Sequence, residues 1–212
     1  VMVAVELDGN YIDAEAMTSR DTKELIRAYR SIWKRWEATG VVSPNWHVLD
    51  NEAPAEFKHV IRKNGCIVEL TPADVHRRNI AERAIQTVTN MACVNMPHAT
   101  VHWPDRSFID LWPLAMNYAV WLYNKLPQQG AGLSPDELFS SIKCSRSNLP
   151  HAHVFGCPVY VLDPQLQDGK KIPQWESPAH QSIFVGFSSH LANRTCTHHN
   201  HNRPTKITLL NR

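Results

Sequence analysis

The chain is 212 residues with 43% hydrophobic and 20% charged residues, long enough for one substantial domain, or one ordinary domain and a small satellite, and too well balanced for wholesale disorder. No apolar run approaches the roughly 18 residues that span a bilayer, and the opening stretch Val1 to Leu7 is too short for a signal peptide, so a soluble intracellular protein is expected. With 22 Lys+Arg against 20 Asp+Glu, a net charge of +2, the whole-molecule field is weak, and any nucleic-acid contact has to come from local clusters.

The chain opens on an alternating apolar run, as an excised piece of a larger protein would. VMVAVELDGNYIDAEAM reads as a hairpin: Val1, Val3 and Val5 alternate, Asp8-Gly9-Asn10 supplies turn chemistry, and Tyr11-Ile12 resumes β-formers. A helix is predicted from Asp21, with Asp21 and Glu24 in capping-box spacing. Leu25, Ala28, Tyr29, Ile32 and Trp36 recur on one face, and Gly40 is a natural stop. Trp46 to Leu49 is a strand ending at Asp50. Pro54 to Asn64 is a helix with Phe57, Val60 and Ile61 inward and Gly65 as terminator, and Cys66 to Leu70 is a further strand.

After a loop over Thr71 to Arg78, Ala81, Ala84, Ile85, Val88, Met91 and Ala92 form the apolar stripe of the best-patterned helix, with Glu82, Gln86 and Thr89 on its flank. Pro97 to Pro104 should interrupt it. A second apolar helix is expected from about Asp110 to Leu126, with Pro113 tolerable in its first turn. Gln128 to Gly132 reads as a linker, and Ser134-Pro135-Asp136-Glu137 opens a short capped helix. The pattern then turns to β at Val154-Phe155, Val159 to Leu162 and Ile183 to Phe187, while the tail from Ser189 loses periodicity and is expected to be loose. This order is a mixed α/β plan, a central sheet covered by helices.

Asp50 sits where a strand ends, a position at which α/β proteins commonly expose functional side chains, and Glu82 lies near a helix start. Two carboxylates on rigid elements suit Mg²⁺ or Mn²⁺, hard ions that prefer oxygen ligands and keep positions open for phosphate and water. The same residue types also serve plain structural roles. Asp at a strand end caps turns, and Glu in a first helical turn is favoured by the helix dipole. The basic run His76-Arg77-Arg78, with Arg83 beyond it, could grip DNA phosphates or simply form a solvated helix start.

Five cysteines, Cys66, Cys93, Cys144, Cys157 and Cys196, are an odd count at irregular spacing, with neither a disulfide framework nor a C-x-x-C pair, which fits a reducing compartment. In the tail, Cys196, His198, His199 and His201 lack a second Cys at zinc-finger spacing and read as an accident of composition. Trp33, Trp36, Trp112 and Trp121 fall in apolar helical segments and are assigned to the core, as are Cys66 and Cys157.

The segments HVLDNEAPAEF (His47 to Phe57), HRRNIAERAIQT (His76 to Thr87), LWPLAMNYAVWLYNKLP (Leu111 to Pro127), GLSPDELF (Gly132 to Phe139), HVFGCPVYV (His153 to Val161) and SIFVGFS (Ser182 to Ser188) resemble, in the same order, the integrase region of copia-type (Ty1/copia) retrotransposon polyproteins. The resemblance implies a ribonuclease-H-like fold and three carboxylates that hold divalent metal. It also implies DNA partners (element ends and target DNA), a possible homo-oligomer, and residence in the nucleus or a cytoplasmic particle. Asp50 then matches the family's second catalytic aspartate and Glu82 its catalytic glutamate, so that both are expected to hold Mg²⁺ or Mn²⁺, and Asn51 repeats the family's Asp-Asn pair. The interval between the two acids is shorter than the family's. His76, Arg77, Arg78 and Arg83 become the expected DNA contacts.

The family's first aspartate lies on the opening strand of the fold, which is expected to precede Val1. Asp8, in the hairpin turn, is a turn former rather than its substitute, and is expected to stand away from Asp50 and Glu82. The resulting division is an N-terminally truncated core over 1–128, a linker with a short helix over 129–152, a small β-rich segment over 153–188 and a disordered tail over 189–212. The parent is expected to be a polynucleotidyl transferase, inactive as this fragment. The competing readings are a non-catalytic DNA-binding or self-associating integrase remnant, and a nuclease of the same broad fold that cuts without joining.

Overall fold

A computed structural model describes residues 1–39, 44–71, 80–104, 109–128, 130, 132–143, 149, 152–167, 169, 171–173 and 175–187. Their elements run β1 (Met2–Val5), β2 (Ile12–Glu15), α1 (Thr22–Ala38), β3 (Trp46–Leu49), α2 (Ala55–Lys63), β4 (Ile67–Leu70), α3 (Ile80–His102), a 3-10 turn (Ile109–Leu111), α4 (Trp112–Lys125), α5 (Pro135–Ser140), β5 (Pro158–Leu162), α6 (Pro164–Gln167) and β6 (Ala179–Ile183). The expected mixed α/β plan is present. The strands form three two-stranded sheets rather than one central sheet: β1–β2 antiparallel, β3–β4 parallel and β5–β6 antiparallel. The chain divides into two compact units, one of Val1–Met91 with Ala119–Arg146, the other of Ala92–Tyr118 with Ser147–Arg212.

In the first unit the hairpin forms with Val5 opposite Ile12. Its turn is held by a residue the sequence pattern does not flag: the Glu6 carboxylate accepts from the Asp8 and Gly9 N–H groups at 2.8 and 2.6 Å. The periodicity of α1 is realised, with Ala28, Tyr29, Ile32 and Trp36 buried. One part of that face packs Tyr29 with Phe57, Ile61 and Cys66, joined by Met2, Leu49 and Val68. The other packs Ile32 and Trp36 with Phe139, and Tyr11 stacks on Phe139 at 4.3 Å. Helix α1 therefore covers residues of both β1 and β3, which makes it the common support of two separate strand pairs.

The expected capping box at α1 does not form. Asp21 is the N-cap residue but makes no side-chain cap bond; its carboxylate takes the Ser19 hydroxyl instead, and Glu24 bonds the Thr18 N–H and Arg27. A nearby guanidinium and hydroxyl outcompete the helix amides for these oxygens. At α5 the box does form, Ser134 accepting from Glu137 N and Glu137 reaching back to Ser134 N at 2.9 Å. Gly65 takes φ +81° just past α2, as its terminating role requires. Gly40 lies outside the described residues.

Along α3 the stripe holds at Ala84, Val88 and Ala92, which are buried, and fails at Ile85, which is 38% exposed. Pro97 does not end this helix, which continues to His102. Proline forfeits one backbone bond there, and the continuation is anchored beyond it: Ala99 is buried, and Trp103 N–H and Nε1 bond the carbonyls of Ala99 and Gly156. Pro113 is the second residue of α4, in the first turn as expected.

In the second unit, Gly156 packs so tightly on α3 that a Cβ there would lie 2.3 Å from the Ala99 Cα, and its φ of +80° equally demands glycine. Val154-Phe155 is not a strand, and the last strand is Ala179–Ile183 rather than Ile183 to Phe187. Pairing with β5 decides this strand. The apolar run after it fills the core instead, with Phe184 and Val185 buried and Phe184 edge-on to Tyr118 at 5.4 Å. Trp36 is buried and Trp33 and Trp121 are half-buried, but Trp112 is exposed. Cys66 is buried and Cys157 half-buried, and burial pushes both thiols up. The tail from Ser189, with Cys196 and its neighbouring histidines, lies outside the described residues.

Candidate metal and nucleic-acid site

Asp50 follows the last residue of β3, where the parallel pair ends, and its side chain is exposed. The Thr71 N–H to Leu49 O bond closes the ladder beside it, and the Ala53 N–H to Asp50 O bond turns the chain into α2. One carboxylate oxygen, Oδ1, accepts from the Asn51 N–H at 2.7 Å. Oδ2 has no hydrogen-bond partner among the described residues. Asp50 is thus partly a turn former, with one oxygen left facing water. Glu82 is the third residue of α3, also exposed, and lies in the same compact unit.

The described residues contain no group of three His, Cys, Asp or Glu side chains placed to share a metal. Of the hairpin acids, Asp13 and Glu15 have other occupations. Asp8 is exposed in the turn. Asp13 is buried on β2, where Arg35 donates Nη2 to Oδ1 at 2.9 Å and Nε to Oδ2 at 3.1 Å, and Trp36 Nε1 donates to Oδ2 at 3.1 Å. Burial raises the Asp13 carboxyl above its ordinary value despite the opposing pull of Arg35. Arg35 also holds Glu15 at 2.7 Å, and Arg27 takes the other Glu15 oxygen at 2.9 Å. Burial pushes the Glu15 carboxyl up, but Arg35 and Arg27 outweigh it and hold the group below its usual range.

Beneath Asp50 on the same strand, His47 stacks on Trp33 at 5.9 Å, meets Tyr29 edge-on at 5.7 Å, and has its Nε2 3.4 Å from the Tyr29 hydroxyl. Its Nδ1 is buried with no partner. Burial lowers its pKa, so this ring is held neutral.

Of the four expected DNA contacts, His76, Arg77 and Arg78 lie outside the described residues. Arg83 is exposed on the first turns of α3 and lines a recess of about 300 Å³ with Val5, Asn10, Ile12, Ala84 and Tyr123. A broader recess of about 670 Å³ opens at the start of α1 among Ser19, Asp21, Lys23, Arg27 and Glu56. Neither recess is lined by Asp50 or Glu82. Among the described residues no helix is long and apolar enough to cross a membrane.

No family model matches the chain, and no curated protein matches it. Among solved structures it is similar to the catalytic core domain of BIV integrase, at 13% identity over 71% of this chain and 88% of that one, with a TM-score of 0.49. It is also similar to a chain of the simian T-cell lymphotropic virus intasome in complex with PP2A regulatory subunit B56 gamma. That match has 15% identity, covers 86% of this chain and has a TM-score of 0.52. The chain spans 60% of the length of that intasome chain. At such identity the likeness concerns the fold alone, and the fold is integrase-like.

Proposed function

We propose that the chain is the greater part of the catalytic core of a copia-type retrotransposon integrase, acting on DNA through divalent metal held by Asp50 and Glu82. The observation that carries this reading is placement: an exposed acid just past a parallel strand, and a second exposed acid in the first turn of α3 of the same unit. Carboxylate oxygens are the donors that Mg²⁺ and Mn²⁺ prefer, and the open Oδ2 of Asp50 fits such a role. Divalent metal bound there would supply activation of an attacking hydroxyl and stabilisation of the leaving oxygen in phosphodiester transfer. Arg83, with His76, Arg77 and Arg78, would seat the DNA backbone and orient it toward the acids.

A ribonuclease-H-like sheet is the arrangement that best accounts for the strand pairs. β1 and β3 are each bonded on one side only among the described residues, and both lean on α1. A strand between them would merge the hairpin and the parallel pair into one sheet under one helix. Two-stranded parallel pairs are seldom stable with a face open to water, yet here Trp46, Val48 and Ile67 are more than half exposed. Such a strand would also be the natural carrier of a third carboxylate, since Asp13 is committed to Arg35. On this account the chain by itself is inactive, and the intracellular setting and self-association of integrases are part of the same proposal.

The test is a supercoiled-plasmid strand-transfer assay with Mn²⁺, comparing this chain with one extended at its N-terminus by an Asp-bearing strand. The extended protein should join DNA ends, and Asp50→Asn or Glu82→Gln should reduce joining by at least about a hundredfold. DNA binding by both proteins with joining by neither would instead establish a non-catalytic remnant. Cutting without joining would point to a nuclease.

A further inference from the structure

Arg83, given above to the DNA backbone, stands in a recess beside α3 whose other residues the metal reading does not use. Its floor is apolar, with Ile12 and Ala84 buried and Val5 half-buried, and its rim carries Arg83, Asn10 and Tyr123. No Asp or Glu among the described residues lines it. Among the described residues Arg83 has no ion-pair partner, and neither the Asn10 amide nor the Tyr123 hydroxyl has a side-chain hydrogen bond. Thr87, also on the wall, spends its hydroxyl on the Arg83 carbonyl at 2.9 Å. Among the described residues the recess is therefore a cleft of about 300 Å³ with one cation that has no ion-pair partner and two polar groups without side-chain hydrogen bonds around an apolar base. Burial raises the Tyr123 pKa, so its hydroxyl keeps its proton and can donate.

We propose that this cleft is an oxyanion-binding site, taking a phosphate or carboxylate on Arg83, with Asn10 and Tyr123 donating to the same group and its apolar body resting on Val5, Ile12 and Ala84. A guanidinium beside apolar walls favours an oxyanion over a neutral ligand, because each donor–acceptor bond is charge-assisted and partly shielded from water. The cleft is at the small end of ligand pockets, which restricts the body to about the size of one ring. The oxyanion has two available sources, a phosphodiester of bound nucleic acid or a free small acid. The inference rests on the cleft alone and holds or fails independently of strand transfer.

The test is titration of the full chain with phenyl phosphate, benzoate and, as the uncharged control, benzyl alcohol, read by heteronuclear NMR at Arg83 and Tyr123. Phenyl phosphate and benzoate should bind competitively with Kd on the order of 1 mM, and benzyl alcohol at least tenfold more weakly. Arg83→Gln should weaken phenyl phosphate at least tenfold, Tyr123→Phe by a few fold, and Arg83→Lys should retain part of the affinity while losing the planar fork. Since Arg83 is exposed, its variants should keep the thermal midpoint of the parent, which separates loss of binding from loss of fold. Displacement of phenyl phosphate by a short oligothymidylate identifies the nucleic-acid backbone as the source; binding of phenyl phosphate without such displacement identifies a free small acid. Absence of phenyl phosphate binding up to about 10 mM, or binding unchanged in Arg83→Gln, would overturn the proposal.

Discussion

Arg35 grips both carboxylate oxygens of Asp13 from the last turn of α1, and the neighbouring Trp36 ring nitrogen donates to one of the same oxygens. The buried acid of the hairpin strands is thus paired by the helix that covers it. Removing one partner strands the other. Arg35→Met should destabilise the fold by about 2–3 kcal/mol, less than a fully buried pair would lose because the arginine side chain is 32% exposed. Asp13→Asn should cost less than Arg35→Met, since the amide still accepts from Trp36. Urea unfolding of both variants and of the double variant measures this, and the double variant should lose less than the sum of the two.

Asn124, on α4, closes the outer edge of β2 by bonding the backbone of Ile12 twice, its Oδ1 accepting from Ile12 N at 3.0 Å and its Nδ2 donating to Ile12 O at 2.7 Å. The side chain stands in for a neighbouring strand. Asn124→Leu should leave both Ile12 groups unpaired in a buried place and cost about 2–4 kcal/mol. Asn124→Asp should be comparably damaging, because it loses the donor and buries a charge. A drop in the thermal midpoint of either variant, with far-UV circular dichroism preserved below it, is the expected result.

The half-buried His47 ring, held neutral by burial, makes stability depend on pH. Its folded pKa lies below the unfolded value near 6.5, so the unfolded chain binds more protons over that interval, and stability falls as pH drops through 6.5. The other histidines contribute their own slopes. The prediction is therefore a difference: the wild type should lose more stability than His47→Phe between neutral and mildly acidic pH. At neutral pH the variant should lose little, since the Nδ1 of His47 has no partner and Nε2 gives up only the 3.4 Å contact with the Tyr29 hydroxyl.

Replacing Arg77, Arg78 and Arg83 with Gln in turn should weaken DNA binding without changing which sequence is preferred. Each contact removed should reduce the steepness of log K against log salt by about 1. Unchanged affinity and slope in the triple variant would remove these residues from the DNA interface.

Most of the local structure could be read from the chain because periodic patterns report burial directly. The stripe of Ala28, Tyr29, Ile32 and Trp36, the short strand before Asp50 and the Ser134 cap are all local statements. What stayed hidden depends on partners far away in sequence. Nothing in the local pattern singles out Asn124; only the fold shows that it completes the edge of β2, 112 residues earlier. Asp21 and Glu24 had capping-box spacing, but Ser19, Thr18 and Arg27 claimed their oxygens. The run Ile183 to Phe187 had strand composition, yet pairing selected the more polar Ala179–Ile183, and the apolar side chains filled a core. For the site, Asp50 at a strand end and Glu82 in a first helical turn were legible, while the Arg83 cleft was not, since its walls come from the hairpin, α3 and α4.

The central claim is that Asp50 and Glu82 share one divalent ion, and paramagnetic broadening by Mn²⁺ tests it most directly. Substoichiometric Mn²⁺ should broaden the backbone amides around both residues together at the same ion concentration, and Asp50→Asn should abolish the effect at Glu82 as well as at position 50. Broadening at one residue without the other, or at neither, would contradict the account.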